Sequence, residues 1–354
     1  MTINRLKSLD LLRGIAISMV VIFHVAIFFQ PKYSGFQFMG YGAHGVQLFF
    51  LISAVTMCFM WVARGNESSK ILKFYFRRFM RIAPVFWFAA IFYFAIKYFE
   101  GVAAGVGLSE FLLSVFFLHG FHPATNNVLV PGGWSIAVEM FFYVIFPFVF
   151  IFTKTNIRCL VGFLVTYFLF NIFFTEIYKI ADLRGMGGVT AYEFKEYLYQ
   201  SIWTQLPVFF MGIFAYRLLF LKDRDSLLLV TCCFLLFLAA TFYIKYFTLL
   251  EGRPFFWIVC LLLMLLLIVV VSLDIGNVAL QYIGRVSYSM YLFHFAVLEA
   301  FHKSVPDSWR NGWGSFVVWA TLVFLASILV ASVSKKYLED FFASWTTRML
   351  KNAR

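Results

Sequence analysis

The side chains able to do chemistry in this sequence are few, and most stand in apolar surroundings. Arg13 and His24 are separated by ten residues within an apolar stretch running from Leu11 to Phe29. Eleven steps of ~100° bring the two within roughly 20° of each other on one helix face and ~16 Å apart along the axis, so they share a face without touching. An ionisable group at membrane depth is costly and normally faces a polar cavity or a partner. Two readings stay open at this point. Either the two line a reactive cavity, or Arg13 snorkels to the interface and His24 makes one interhelical hydrogen bond.

A second cluster is Arg77, Arg78 and Arg81, preceded by Lys70 and Lys73 and followed by Pro84 and an apolar run. Arg78 and Arg81, at i and i+3, can converge on one anion, and a polyphosphate fits two guanidinium groups well. Charge alone is equally consistent with anionic lipid headgroups. Glu139 lies about one turn into a run that opens at Trp134 after Pro131-Gly132-Gly133, where a helix N-terminus stabilises negative charge. A histidine is a candidate partner for it. His294 closes the segment Gly284-Arg285-Val286-Ser287-Tyr288-Ser289-Met290-Tyr291-Leu292-Phe293-His294, and core packing with one hydrogen bond is the default for such a histidine. His44, His119 and His122 are expected near the same surface as Glu139, but their spacing matches no zinc signature, so no metal is expected.

The elements that must position these groups follow from composition. The 354 residues are 62% hydrophobic, 21% aromatic and only 13% charged, which excludes a water-soluble fold. Apolar runs at 11–30, 43–63, 83–99, 135–153, 158–175, 202–221, 226–247, 255–273, 287–303 and 315–334 predict an all-α polytopic integral membrane protein of about ten spans. The run 108–119 is too short to cross and predicts a re-entrant segment. A single membrane domain over 1–354, with no separate soluble domain, is the expected organisation. The first run, with basic residues before it, superficially resembles a secretory signal. Its length, the lack of a small-residue cleavage site and the presence of Arg13 and His24 favour a first span.

With the N-terminus inside, this span order leaves only Lys32, Lys97, Lys179, Arg184, Lys195, Lys245, Arg253, Lys303 and Arg310 of the 29 basic residues outside. Both termini are therefore expected in the cytoplasm. The net charge of +12 is spent on this asymmetry, so no nucleic-acid partner is expected. The five cysteines sit within or beside apolar runs without metal-type spacing and are expected to be small buried hydrophobes. The stretch 176–201, with Gly185, Gly187 and Gly188, is expected to form an external loop.

In this order the segments resemble the membrane-bound acyltransferase-3 family over nearly the whole chain. Leu9-Asp10-Leu11-Leu12-Arg13-Gly14 with His24 is similar to the family's opening motif. Gly45 to Ala54, which includes Ser53, resembles its second-span motif, and Phe76 to Pro84 its basic motif. Trp134 to Glu139 and Ser287-Tyr288 to His294 resemble two further blocks. Leu11, Gln47 and Ala54 depart from the pattern, standing where glycine, an acidic residue and glycine are common.

The resemblance implies an O-acyltransferase that moves an acyl group, acetyl first among candidates, from acyl-CoA to a sugar hydroxyl of a cell-surface or exported glycan. Such polysaccharide modification is expected in a bacterial inner membrane, with acyl-CoA, a glycan or lipid-linked sugar, and membrane lipid as partners. It implies His24 as general base, with Arg13 and Glu139 as further catalytic groups. Arg77, Arg78 and Arg81 are then the donor-phosphate site, and His44, Ser53, Trp134, Tyr288 and His294 are further candidates. The competing reading is a transporter or flippase for a glycan or lipid-linked sugar, which would also need many spans and intramembrane His and Arg.

Overall fold

A computed structural model describes residues 3–29, 36–65, 69–101, 107–169, 191–221, 253–309 and 312–352. The expected span 226–247, with Cys232 and Cys233, and the glycines of the expected external loop lie outside these residues.

The described residues are helical, without a strand. Helices α1 (Ile3–Phe29), α2 (Gly45–Ala63), α3 (Lys70–Phe99) and α5 (Trp134–Phe152) carry the first four expected long runs, and α4 (Leu108–Val115) lies between α3 and α5. The eight residues of α4 rise only ~12 Å, which cannot cross ~30 Å of hydrocarbon. Next come α6 (Asn156–Leu169), α7 (Ala191–Gln200), α8 (Ile202–Tyr216), α9 (Arg253–Ser272) and α10 (Val278–Arg285). The chain ends in α11 (Ser287–Ser304), α12 (Trp313–Ser334) and α13 (Asp340–Asn352).

Among the described residues six helical stretches, at Lys7–Phe29, Met39–Ala63, Lys70–Phe99, Trp134–Phe152, Glu196–Leu221 and Trp313–Lys351, are long and apolar enough to cross a membrane. Helices suit this setting because they satisfy every interior backbone group locally. Large apolar side chains such as Phe148, Leu169, Leu325 and Leu329 point outward, as a lipid-facing surface requires.

α1 is the hub, packing against α2, α9, α10, α11 and α12. Its contact with α10 is a backbone approach through two glycines. A Cβ on Gly14 would lie 2.1 Å from the Leu280 carbonyl oxygen, and one on Gly284 would lie 1.8 Å from that of Asp10. Asn277 starts α10 by accepting the Leu280 amide at 3.0 Å. The helix breaks at Val286, where α11 begins, and the Ser289 amide and hydroxyl both donate to the Glu339 carboxylate. An orphan amide at the start of a helix is thereby satisfied by a carboxylate from the π-helical turn Lys335–Glu339.

A buried arginine ties α8 to the turn between α5 and α6. Arg217 Nε donates to Asn156 Oδ1 at 2.9 Å and Nη1 to the Thr153 carbonyl at 3.3 Å. Arg217→Leu would leave both acceptors buried, so we expect a loss of about 1–3 kcal/mol, read as a lower midpoint of thermal unfolding in detergent.

Candidate active site

Five helices meet around a cavity. Its polar lining is Arg13 from α1, Ser53 and Thr56 from α2, Arg78 and Arg81 from α3, Ser135, Glu139 and Tyr143 from α5, and Ser287, Tyr288 and Tyr291 from α11. Three guanidinium groups face one carboxylate in this lining, an excess of positive charge that favours an anion.

Arg13, Glu139 and Arg78 are each held by neighbours. Arg13 donates to Asp10 Oδ1 at 2.8 Å and to Thr56 Oγ1 at 3.0 Å. The Thr56 hydroxyl spends its own proton on the Ile52 carbonyl at 2.7 Å, so its oxygen is left to accept from Arg13. Glu139 Oε1 accepts from Ser53 and Tyr143, each at 2.5 Å. Arg78 is buried, with its guanidinium 5.3 Å from the Tyr143 ring and 5.8 Å from the Phe74 ring. Tyr288 donates to the Ile82 carbonyl at 2.7 Å and so joins α11 to α3 one residue past Arg81.

At the opposite end of the cavity lining, Tyr291 donates to the Gly132 carbonyl at 2.9 Å and accepts from Ser135 at 2.8 Å. Gly132 has φ +75°, and a Cβ there would lie 3.0 Å from the Tyr291 hydroxyl. Gly132→Ala is therefore expected to cost about 1–2 kcal/mol and to lower activity by displacing Tyr291, which thermal unfolding and turnover measured on one preparation would show.

One turn beyond Tyr291, His294 is fully buried and its Nε2 lies 3.1 Å from His24 Nδ1. Phe295 packs against both imidazoles, with ring centroids 4.3 Å from each. The carboxylate expected behind a histidine, Glu139, instead bonds Ser53 and Tyr143, and the group behind His24 is His294.

A second cavity adjoins the first, sharing Thr56, Arg78 and Arg81. It adds Arg64, Lys70 and Arg77 together with Trp61, and among the described residues no acidic side chain lines it. Lys70 Nζ lies 4.2 Å from the Trp61 ring centroid.

The other expected residues are dispersed. Trp134 packs on Phe50 and Tyr199 beside the cavity. His44 ends a 3-10 turn against Tyr41 and Phe256. His119 is stacked on Phe86 and bonds the Gly133 carbonyl at 3.0 Å, and burial holds its imidazole below the usual histidine range. Ala124 donates its amide to His122 Nδ1 in a local turn. Among the described residues no three His, Cys, Asp or Glu side chains form a group that could hold a metal ion.

With this geometry in view, comparison with known proteins is informative. A family model described as an acyltransferase domain matches residues 6–335. The chain belongs to the acyltransferase-3 family. The chain is also similar to the exopolysaccharide production protein ExoZ of Rhizobium meliloti (strain 1021), with 33% identity over 113 residues, covering 30% of this chain. The match spans 33% of that protein's length. No solved structure matches significantly.

The structure accounts for two of the chain's departures from the family pattern. Gln205 fixes its Oε1 as an acceptor by donating Nε2 to the Tyr199 carbonyl at 2.6 Å, and Gln47 Nε2 donates to that Oε1 at 3.0 Å. An acidic residue at 47 would have no hydrogen to give. Ala54 faces Gly212 of α8, where a Cβ would lie 2.7 Å from the Ala54 methyl, so the absent glycine on α2 is matched by one on its neighbour.

Thr56, Ser135, Tyr143 and Tyr291 were not singled out from the sequence. Each had a signal, since Thr56 follows Ser53 at i+3, Ser135 precedes and Tyr143 follows Glu139 at i+4, and Tyr291 precedes His294 at i+3, spacings that share a helix face. That Thr56 accepts from Arg13 was not legible, because it depends on how α2 crosses α1.

Proposed function

We propose that this integral membrane acyltransferase moves an acyl group, acetyl first among candidates, from acyl-CoA to a sugar hydroxyl of a cell-surface or exported glycan. The observation that carries the reading is the pair of adjoining cation-lined cavities that share Arg78 and Arg81. Arg64, Lys70 and Arg77 in the outer cavity suit the donor's phosphates, and its Trp61 offers a ring to stack on the adenine. Arg13, Arg78 and Arg81 in the inner cavity suit the developing charge on the thioester carbonyl.

In this scheme the acceptor oxygen bonds to the carbonyl carbon and the carbon–sulfur bond breaks. The hydroxyl proton passes to His24 and leaves with the thiolate as the coenzyme A thiol. Glu139 holds Ser53 and Tyr143 in place and balances the arginines. The similarity to a protein named for exopolysaccharide production supports a glycan acceptor.

The same reading completes the topology at about ten spans. α6, α9, α11 and residues 226–247 join the six long stretches, in a bacterial inner membrane with both termini in the cytoplasm. The basic vestibule then opens where coenzyme A is available, and His24 lies towards the outer face.

Label from acetyl-CoA should appear in membrane-associated glycan with the wild-type protein and fall about tenfold or more in His24→Ala at matched protein levels. A wild-type protein inactive with acetyl and longer acyl-CoA donors alike would sink the donor assignment. An active His24→Ala would sink the base.

A further inference from the structure

The geometry points to His294 as a positioning residue that holds His24 in the tautomer protonated on Nδ1, leaving Nε2 as the atom that takes the acceptor's proton. This rests on the reading of His24 as the base. His294 Nδ1 lies 2.7 Å from the Tyr291 carbonyl oxygen and 3.2 Å from that of Met290. Carbonyl oxygens only accept, so Nδ1 carries the hydrogen, and in a neutral imidazole Nε2 is then bare.

That bare nitrogen is the one 3.1 Å from His24 Nδ1. Two lone pairs cannot share a hydrogen bond, so His24 Nδ1 must be the donor. Its own Nε2 is thereby left with a lone pair. A free imidazole prefers its hydrogen on Nε2, which would remove the base from the site of proton transfer, and besides His294 the Val20 carbonyl one turn back on α1 is a backbone partner of His24. His294 therefore supplies through a side-chain nitrogen what a carboxylate supplies in hydrolytic triads: it selects the tautomer and fixes the ring.

The backbone carbonyls make the arrangement self-consistent. His294 is fully buried on α11 and bonds carbonyls one turn back on its own helix, so its ring cannot exchange tautomers without losing both contacts. Phe295, against both rings, limits their rotation.

The test uses full-length protein in bilayers, labelled with 15N-histidine, and compares wild type with His294→Leu and His294→Gln. Solid-state NMR, with His24→Ala to identify the His24 signals, should find hydrogen on Nδ1 of His24 in the wild type and on Nε2 in His294→Leu. Turnover of His294→Leu should fall about 100-fold with little change in the acceptor KM. His294→Gln, whose side-chain oxygen can accept near the lost Nε2, should restore much of it.

A wild-type His24 protonated on Nε2 overturns the proposal, as does a His294→Leu variant that keeps the Nδ1 tautomer. If His24→Ala is inactive while His294→Leu is fully active, positioning alone fails. If His24→Ala turns over at the wild-type rate, the base reading itself fails, whatever the tautomer.

Discussion

Arg78→Ala is expected to reduce acyl transfer about 10³-fold at sub-saturating acyl-CoA. Arg78 is common to both cavities and is only 7% exposed, so water cannot replace it. Its guanidinium sits between the Tyr143 and Phe74 rings, which orient the fork. Arg78→Lys keeps the charge on a compact ammonium that cannot reproduce a two-pronged contact, so an intermediate loss of about 10- to 100-fold is expected. Arg64→Ala, at the outer cavity, should change mainly the acyl-CoA KM and should do so less at high salt, because partly exposed charges are screened. Steady-state kinetics at varied acyl-CoA concentration separate these cases. An Arg78→Ala enzyme with wild-type kcat/KM for the donor would remove the two-cavity site.

Gly284→Val is expected to abolish the folded protein. Even the first added carbon would lie 1.8 Å from the Asp10 carbonyl oxygen, and that atom belongs to backbone and cannot rotate away. α1 and α10 would have to separate by more than 1 Å over a contact that also includes Gly14, at a cost of about 3 kcal/mol or more. The separation would pull Arg13 from Thr56 and shift the start of α11 through Val286, so activity would fall with stability. Gly284→Ala should show the same direction at smaller size. Both are read from the yield of monodisperse protein in detergent and its thermal unfolding. A Gly284→Val protein that unfolds at the wild-type temperature would rule out the close crossing.

The two glycines expose something the sequence carried without its meaning being visible. His24 follows Gly14 by ten positions, and His294 follows Gly284 by the same ten. The opening motif and the last motif meet at their glycines and meet again at their histidines, one through backbone contact and the other through a ring-to-ring hydrogen bond. Each histidine taken alone reads as a packed core residue. The matched spacing signals a pair only once the two segments are known to lie side by side.

Membrane character, the helical class, the placement of the long spans and the candidate arginines were legible from the sequence alone. They depend on properties that are additive along a chain: apolar length against bilayer thickness, charge at span ends and helical spacing. The partners of the reactive groups were not legible. Glu139 was expected to serve a histidine, yet it lies with Ser53 and Tyr143, while His24 lies with a residue 270 positions away. Pairing of this kind depends on which faces of α1, α2, α5 and α11 meet, and that is decided by backbone approach at Gly14 and Gly284 and by the break at Val286. A one-dimensional pattern can say that a polar group inside the membrane needs a partner, but only the crossing of helices in three dimensions decides which partner it gets.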